Sequence, residues 1–111
     1  SYLEAKGYRL IVAENGQEAI ALAQAEKPDL ILMDIQMPVL DGLSAIRQLR
    51  QDPAFQTLPI IALTALAMAG DQEKCLQAGA NDYLSKPVRL RELVECIQKW
   101  LKKIPKPLDF S

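Results

Sequence analysis

The chain has 111 residues, half of them hydrophobic and 24% charged, which leaves room for one globular domain with a buried core and excludes two full domains or wholesale disorder. Thirteen Lys and Arg against fourteen Asp and Glu give a net charge of −1, so no global field draws the chain to nucleic acid or anionic lipid. The absence of histidine excludes Ser-His-Asp triads, His-ligated zinc and a phosphohistidine donor, and two cysteines, Cys75 and Cys96, are too few for a four-Cys zinc site.

Residues 1–6 read as the end of a helix, with Gly7 where a C-cap glycine belongs. Residues 8–13 (YRLIVA) predict a buried strand, and Asn15-Gly16 opens a helix that Lys27-Pro28 ends. The run 29–34 (DLILMD), four apolar residues between two acids, suits a parallel strand covered on both faces and finishing at Asp34. Residues 35–41 are expected to form a loop, after which Asp41-Gly42 opens a helix carrying Leu43, Ile46 and Leu49, broken at Asp52-Pro53. A further buried strand is expected over 58–63 (LPIIAL), ending at Thr64. A helix over about 70–77 follows, closed by Gly79. Residues 82–85 (DYLS) predict a last strand and Lys86-Pro87 a turn. Leu90, Val94, Ile97 and Leu101 then form one stripe of a final helix, and residues 104–111 read as a tail or linker. Both cysteines fall on predicted helices and are expected to be reduced thiols of a cytoplasmic protein. No apolar run approaches the roughly 18 residues of a membrane span, and no charged-then-apolar leader opens the chain, so a soluble segment is expected.

This alternation predicts an α/β domain with a parallel sheet and helices on both faces, in which ligands bind beyond the carboxyl ends of the strands. The polar residues at three of those ends are Asp34, Thr64 and Lys86. Taken singly, Asp34 could cap a loop, Thr64 could satisfy a carbonyl, and Lys86 could be a solvated turn residue. Taken together, they supply an oxygen nucleophile, a hydroxyl donor and a point charge, the parts that phosphoryl transfer to a carboxylate requires. Ala65, beside Thr64, leaves room for the incoming group. Met33 and Met37 read as packing residues, and Asp41 and Gly42 as helix cap and turn. The cluster Lys99, Lys102, Lys103 and Lys106 reads as complementing a helix C-terminus, and Trp100 as either packing or a partner anchor.

The segments LILMDIQMPVLDG, PIIALTA and AGANDYLSKP closely resemble the receiver (CheY-like) domain of bacterial two-component systems, over about residues 1–101. GYRLIVAENGQEAI and MPVLDGLSAIRQLR look most like receivers attached to hybrid histidine kinases. The resemblance implies a flavodoxin-like doubly wound sheet, with a receiver over 1–103 and a tail over 104–111. It places the phosphorylation site on Asp34, the switch hydroxyl on Thr64, the conserved lysine on Lys86, a cis-type proline on Pro87 and a rotating aromatic on Tyr83. Mg2+ would be held by Asp34 and the backbone carbonyl of Gln36. The implied partner is a histidine kinase or phosphotransfer domain that donates from a phosphohistidine. Homodimerisation through the last strand and helices is also implied, and no direct nucleic-acid contact. The domain would be a phosphoacceptor rather than an enzyme.

Two other functions are open to these residues. One is a phosphorylation-incompetent interaction module that uses the same face. The other is a phosphatase of the haloacid-dehalogenase type, which needs a second aspartate two positions after the first, where this chain has Gln36.

The family's first strand and the acidic pair after it do not occur in these 111 residues. In the family's strand order 2-1-3-4-5 that strand is central, so residues 8–13 are expected to lack a pairing neighbour, and the magnesium site to be weakened or lost. A piece of a longer polypeptide is the expected explanation, with a strand borrowed from another copy or a degenerate receiver as the alternatives.

Overall fold

A computed structural model describes residues 8–35, 39–65 and 69–101. The elements are β1 (Leu10–Ala13), α1 (Gly16–Glu26), β2 (Leu30–Ile35), α2 (Val39–Gln51), a 3-10 turn (Pro53–Phe55), β3 (Ile60–Thr64), α3 (Ala69–Ala78), β4 (Asp82–Ser85) and α4 (Leu90–Leu101). The four strands form one parallel sheet in the order β1-β2-β3-β4.

Residues 8–13 therefore do have a neighbour, contrary to the expectation from the family's strand order. Leu10 to Ala13 pair in parallel with Leu30 to Met33 of β2, and Asp29 extends the clasp, donating its N–H to the Arg9 carbonyl (2.7 Å) while its carboxylate accepts the Arg9 N–H (2.8 Å). The backbone groups on this side of β1 are thus paired by the next strand in sequence.

Each strand pairs with the next one in sequence, and right-handed crossovers between adjacent parallel strands place their helices on one side. Accordingly α1, α2 and α3 share one face. Ala19, Ala23, Leu43, Ile46, Leu49 and Cys75 bury against Ile11, Ile31, Met33, Ile60 and Ala62. On the other face, α4 packs Cys96, Ile97 and Leu101 against Leu30, Leu32 and Ile61. The strictly alternating side chains of the parallel strands supply both layers, which is why the strands read as continuous apolar runs.

Caps and breaks fix the element lengths. The Asn15 side chain accepts from the Glu18 N–H (2.8 Å), while Glu18 reaches back to the Glu14 N–H (3.2 Å), a reciprocal arrangement that starts α1. Lys27 closes α1 in the left-handed conformation (φ 47°). Asp52 does more than break a helix, because its carboxylate accepts from the Ala54 N–H (2.9 Å) and caps the 3-10 turn. Arg50, half-buried, joins three segments by donating to the carbonyls of Gly79 (2.9 Å) and Phe55 (2.7 Å) and to the Asn81 side chain (2.7 Å). Burial lowers the pKa of its guanidinium.

Several predicted boundaries move. Ile35 belongs to β2 and α2 begins at Val39, so Asp41 and Gly42 lie inside a helix rather than at its cap. Gly42 is still constrained by space, since a Cβ there would sit 3.1 Å from the Ile35 side chain. The first, second and third strands begin two, one and two residues later than expected. The predicted helix end at 1–6 with Gly7, residues Gln36, Met37 and Pro38, and Lys102, Lys103, Lys106 and the 104–111 tail lie outside the described residues.

Candidate functional site

The site stands at the carboxyl edge of the sheet, where β2, β3 and β4 end side by side. Asp34 is the penultimate residue of β2, on the face of Leu30 and Leu32, and its register partner on β3 is Leu63. Thr64 closes β3 opposite Ile35 and is buried to 2% exposure, the one buried polar residue among those described. Ser85, the last residue of β4, pairs with Thr64, and the next residue, Lys86, donates its N–H to the Thr64 carbonyl (2.8 Å). The ladder thus continues one step past the strand and fixes the backbone from which the lysine side chain departs.

From there the Lys86 ammonium forms an ion pair and hydrogen bond with Oδ1 of Asp34, its side chain 32% and that of Asp34 20% exposed. Two hydrogen-bonded opposite charges at this depth hold each other more firmly than an exposed pair, and both remain reachable from solvent. The Lys86–Pro87 peptide is cis, as the resemblance implied, and Pro87 is exposed. Ala65, beside Thr64, is exposed.

The structure therefore brings Asp34 and Lys86 into contact and sets Thr64 between them at the end of the intervening strand. Tyr83 lies further down β4, opposite Ala62, half-buried against the core under α1–α3. Gln36 lies outside the described residues, and for Asp41 only the backbone is described. Met33 is fully buried, consistent with its packing assignment, and Cys75 and Cys96 are both buried free thiols.

A hard divalent cation such as magnesium is commonly held by one or two carboxylates, phosphate oxygens and waters. Asp34, a carboxylate with one oxygen on Lys86, fits as one such ligand. Among the described residues no group of three or more His, Cys, Asp or Glu gathers to form a dedicated cage.

A polar cluster that sequence reasoning missed lies at the opposite end of β4. Oδ2 of Asp82 accepts from the Trp100 indole N–H (2.9 Å) and from the Cys96 thiol (3.5 Å), with the Lys99 ammonium 3.9 Å away and also over the Trp100 ring (5.2 Å to its centre). Oδ1 of the same carboxylate accepts the N–H of Tyr83 (2.9 Å). Burial chiefly, and then the Asp82 charge, push the Cys96 thiol up to about 12. The available signal was the spacing of Cys96 and Trp100, four apart on one helical face, with an acid opening the preceding strand. Trp100 is thus a packing and hydrogen-bonding residue of the domain itself.

Comparison with known proteins shows the family and the fold. The family model described as "Response regulator receiver domain" matches residues 1–98. The polar-differentiation response regulator DivK of Brucella anthropi is 44% identical over 99 residues, spanning 89% of this chain and 80% of that protein. Among solved structures, the receiver domain of sensor histidine kinase PA1611 from Pseudomonas aeruginosa PAO1 superposes with TM-score 0.76 at 37% identity. The match covers 86% of this chain and 98% of that one, which carries a magnesium ion coordinated in its active site cleft. The signal receiver domain of a histidine kinase from Syntrophus aciditrophicus gives TM-score 0.77 at 25% identity, over 94% of this chain and 97% of that one.

Proposed function

Because the chain belongs to the response regulator receiver domain family of two-component signalling, we propose that it accepts a phosphoryl group on Asp34 from a phosphohistidine of a histidine kinase or phosphotransfer domain. The carrying observation is the Asp34–Lys86 pair at the carboxyl edge of the sheet, beside Thr64. In the proposed step a carboxylate oxygen of Asp34 forms a bond to phosphorus as the phosphorus–nitrogen bond of the donor breaks. The departing imidazole nitrogen keeps the electron pair and takes a proton from solvent.

Lys86 then exchanges the carboxylate for a phosphoryl oxygen, remaining a point charge beside the transferred group. Thr64 donates its hydroxyl to another phosphoryl oxygen through the gap at Ala65, and Tyr83 turns further into the core. Asp34 and the Gln36 carbonyl are the proposed ligands that would hold magnesium, which would supply neutralising charge for the phosphoryl group.

The proposed readout surface comprises α3, β4 and α4, where Leu76 and Leu90 are exposed and suit a partner or a second copy. The receiver is assigned to residues 1–103 and the tail or linker to 104–111. Relatives that are response regulators and relatives that are kinase receiver domains both resemble the chain, and the proposed reaction is the same in either setting, including a hybrid kinase. No helix among the described residues is long and apolar enough to cross a membrane, and a cytoplasmic site of action is part of the proposal.

The test is incubation of the protein with acetyl phosphate and magnesium, followed by intact mass. A gain of about 80 Da, one phosphoryl group, in the wild type and none in Asp34→Ala is expected. No gain in either, with partner affinity equal for wild type, Asp34→Ala and Asp34→Asn, would establish an interaction module instead.

A further inference from the structure

Asp82 stands where three parts of the domain meet. It opens β4, the strand that carries Tyr83 and leads to Lys86, yet its own side chain lies on the opposite face of the sheet from Tyr83, towards α4. One carboxylate oxygen holds the Tyr83 N–H and the other holds the indole N–H of Trp100, in the last turn of α4. Cys96, one turn earlier, donates to the same oxygen, and Lys99 lies near it, so a single carboxylate collects three side chains of one helical face. Apart from this cluster, α4 meets the sheet through apolar packing that includes Ile97 and Leu101, which fixes depth but not direction.

We propose that the Asp82–Trp100 hydrogen bond couples the strand bearing Tyr83 and Lys86 to the last turn of α4, so that phosphorylation at Asp34 changes the setting of that helix end. This rests on the phosphoacceptor reading above. The bistable element is the indole–carboxylate contact, made or released as β4 adjusts to the movement of Lys86 from Asp34 to a phosphoryl oxygen. A hydrogen bond to a charged acceptor is short and directional, so a small strand shift is read at the indole in a way that apolar packing would absorb. The Cys96 thiol stays protonated and keeps donating to Asp82, giving the carboxylate a fixed partner on the same helix while the indole contact changes.

Trp100 is the sole tryptophan of these 111 residues, so their indole emission reports the surroundings of this one side chain. The experiment uses the protein with acetyl phosphate and magnesium, following indole emission and intact mass in the same sample. Wild type is expected to gain about 80 Da and shift its Trp100 emission in proportion to the phosphorylated fraction. Asp82→Asn, and Asp82→Ala where far-ultraviolet circular dichroism shows it folded, are expected to gain the same mass with the emission shift lost. Mass gain in the wild type without an emission shift, or an undiminished shift in both Asp82 variants, overturns the coupling and leaves phosphorylation standing. Absence of mass gain in the wild type overturns the phosphoacceptor reading, and the coupling with it.

Discussion

Lys86 and Asp34 are 52 positions apart in sequence, yet their side chains meet across the end of β3, the strand that separates theirs. That contact is made by the ladder: β4 pairs with β3 until Ser85 opposes Thr64, and the next N–H, that of Lys86, still reaches the Thr64 carbonyl. Removing the lysine head group should therefore affect the chemistry of the site far more than the fold. Lys86→Met is expected to lower stability by less than about 1 kcal/mol, because the pair is partly solvated. Its rate of phosphorylation by acetyl phosphate should fall by roughly 100-fold or more, the scale of losing one aimed charge stabiliser. Urea denaturation and time-resolved intact mass measure the two effects on one sample.

Gly79 is placed where only glycine serves. Its φ is +122°, and a Cβ there would lie 2.7 Å from Cγ of Arg50, the residue whose guanidinium binds the Gly79 carbonyl. Gly79→Ala is expected to cost about 2–4 kcal/mol, combining backbone strain with displacement of that arginine. A fall in the urea midpoint with unchanged slope is the expected signature.

Among the described residues Arg50 binds two carbonyls and an amide oxygen rather than a carboxylate. Arg50→Lys should fail to rescue Arg50→Ala by more than about a third, since a single ammonium cannot span a fork-shaped set of three acceptors. Both variants are expected to lose about 2–4 kcal/mol, read by thermal or urea unfolding.

Lys27 offers the opposite case, a left-handed residue with a side chain. Its φ of 47° closes α1 and its N–H reaches the Ala23 carbonyl. Lys27→Gly is expected to raise stability by about 0.5–1 kcal/mol, since glycine adopts this conformation without a Cβ penalty.

The Cys96 thiol gives a pH signature. Its folded pKa is raised from an ordinary 9.0 to about 12, so above pH 9 the unfolded chain releases a proton that the folded chain keeps. Stability from this group is complete below pH 9 and is lost as pH rises towards 12. Wild type should lose stability more steeply than Cys96→Ala across that window, and Cys96 in the folded protein should resist iodoacetamide at pH 8.

Much of this architecture was legible in the sequence because parallel strands buried on both faces must be short and apolar, as LILM and IIAL are. Asp34 and Thr64 were legible for the same reason, being the first polar groups after those runs, whereas Lys86 follows Ser85 at the end of a shorter, half-buried strand. The start of α2 was misplaced because Asp41-Gly42 has the composition of a cap, while the helix begins at Val39. The pairing of Leu10–Ala13 with β2 was missed because pairing partners are a matter of tertiary order, on which strand composition is silent. Asp82 went unnoticed because an acid opening a short strand resembles a turn residue, and only the fold brings Trp100 to it.

The most direct test of the account is chemical mapping of the acceptor. Reduction of the phosphorylated protein with borohydride converts an aspartyl phosphate to homoserine, which peptide mass spectrometry locates. The account predicts conversion at Asp34 and at no other aspartate, whereas conversion at a different residue, or a phosphorylated chain with Asp34 unchanged, would contradict it.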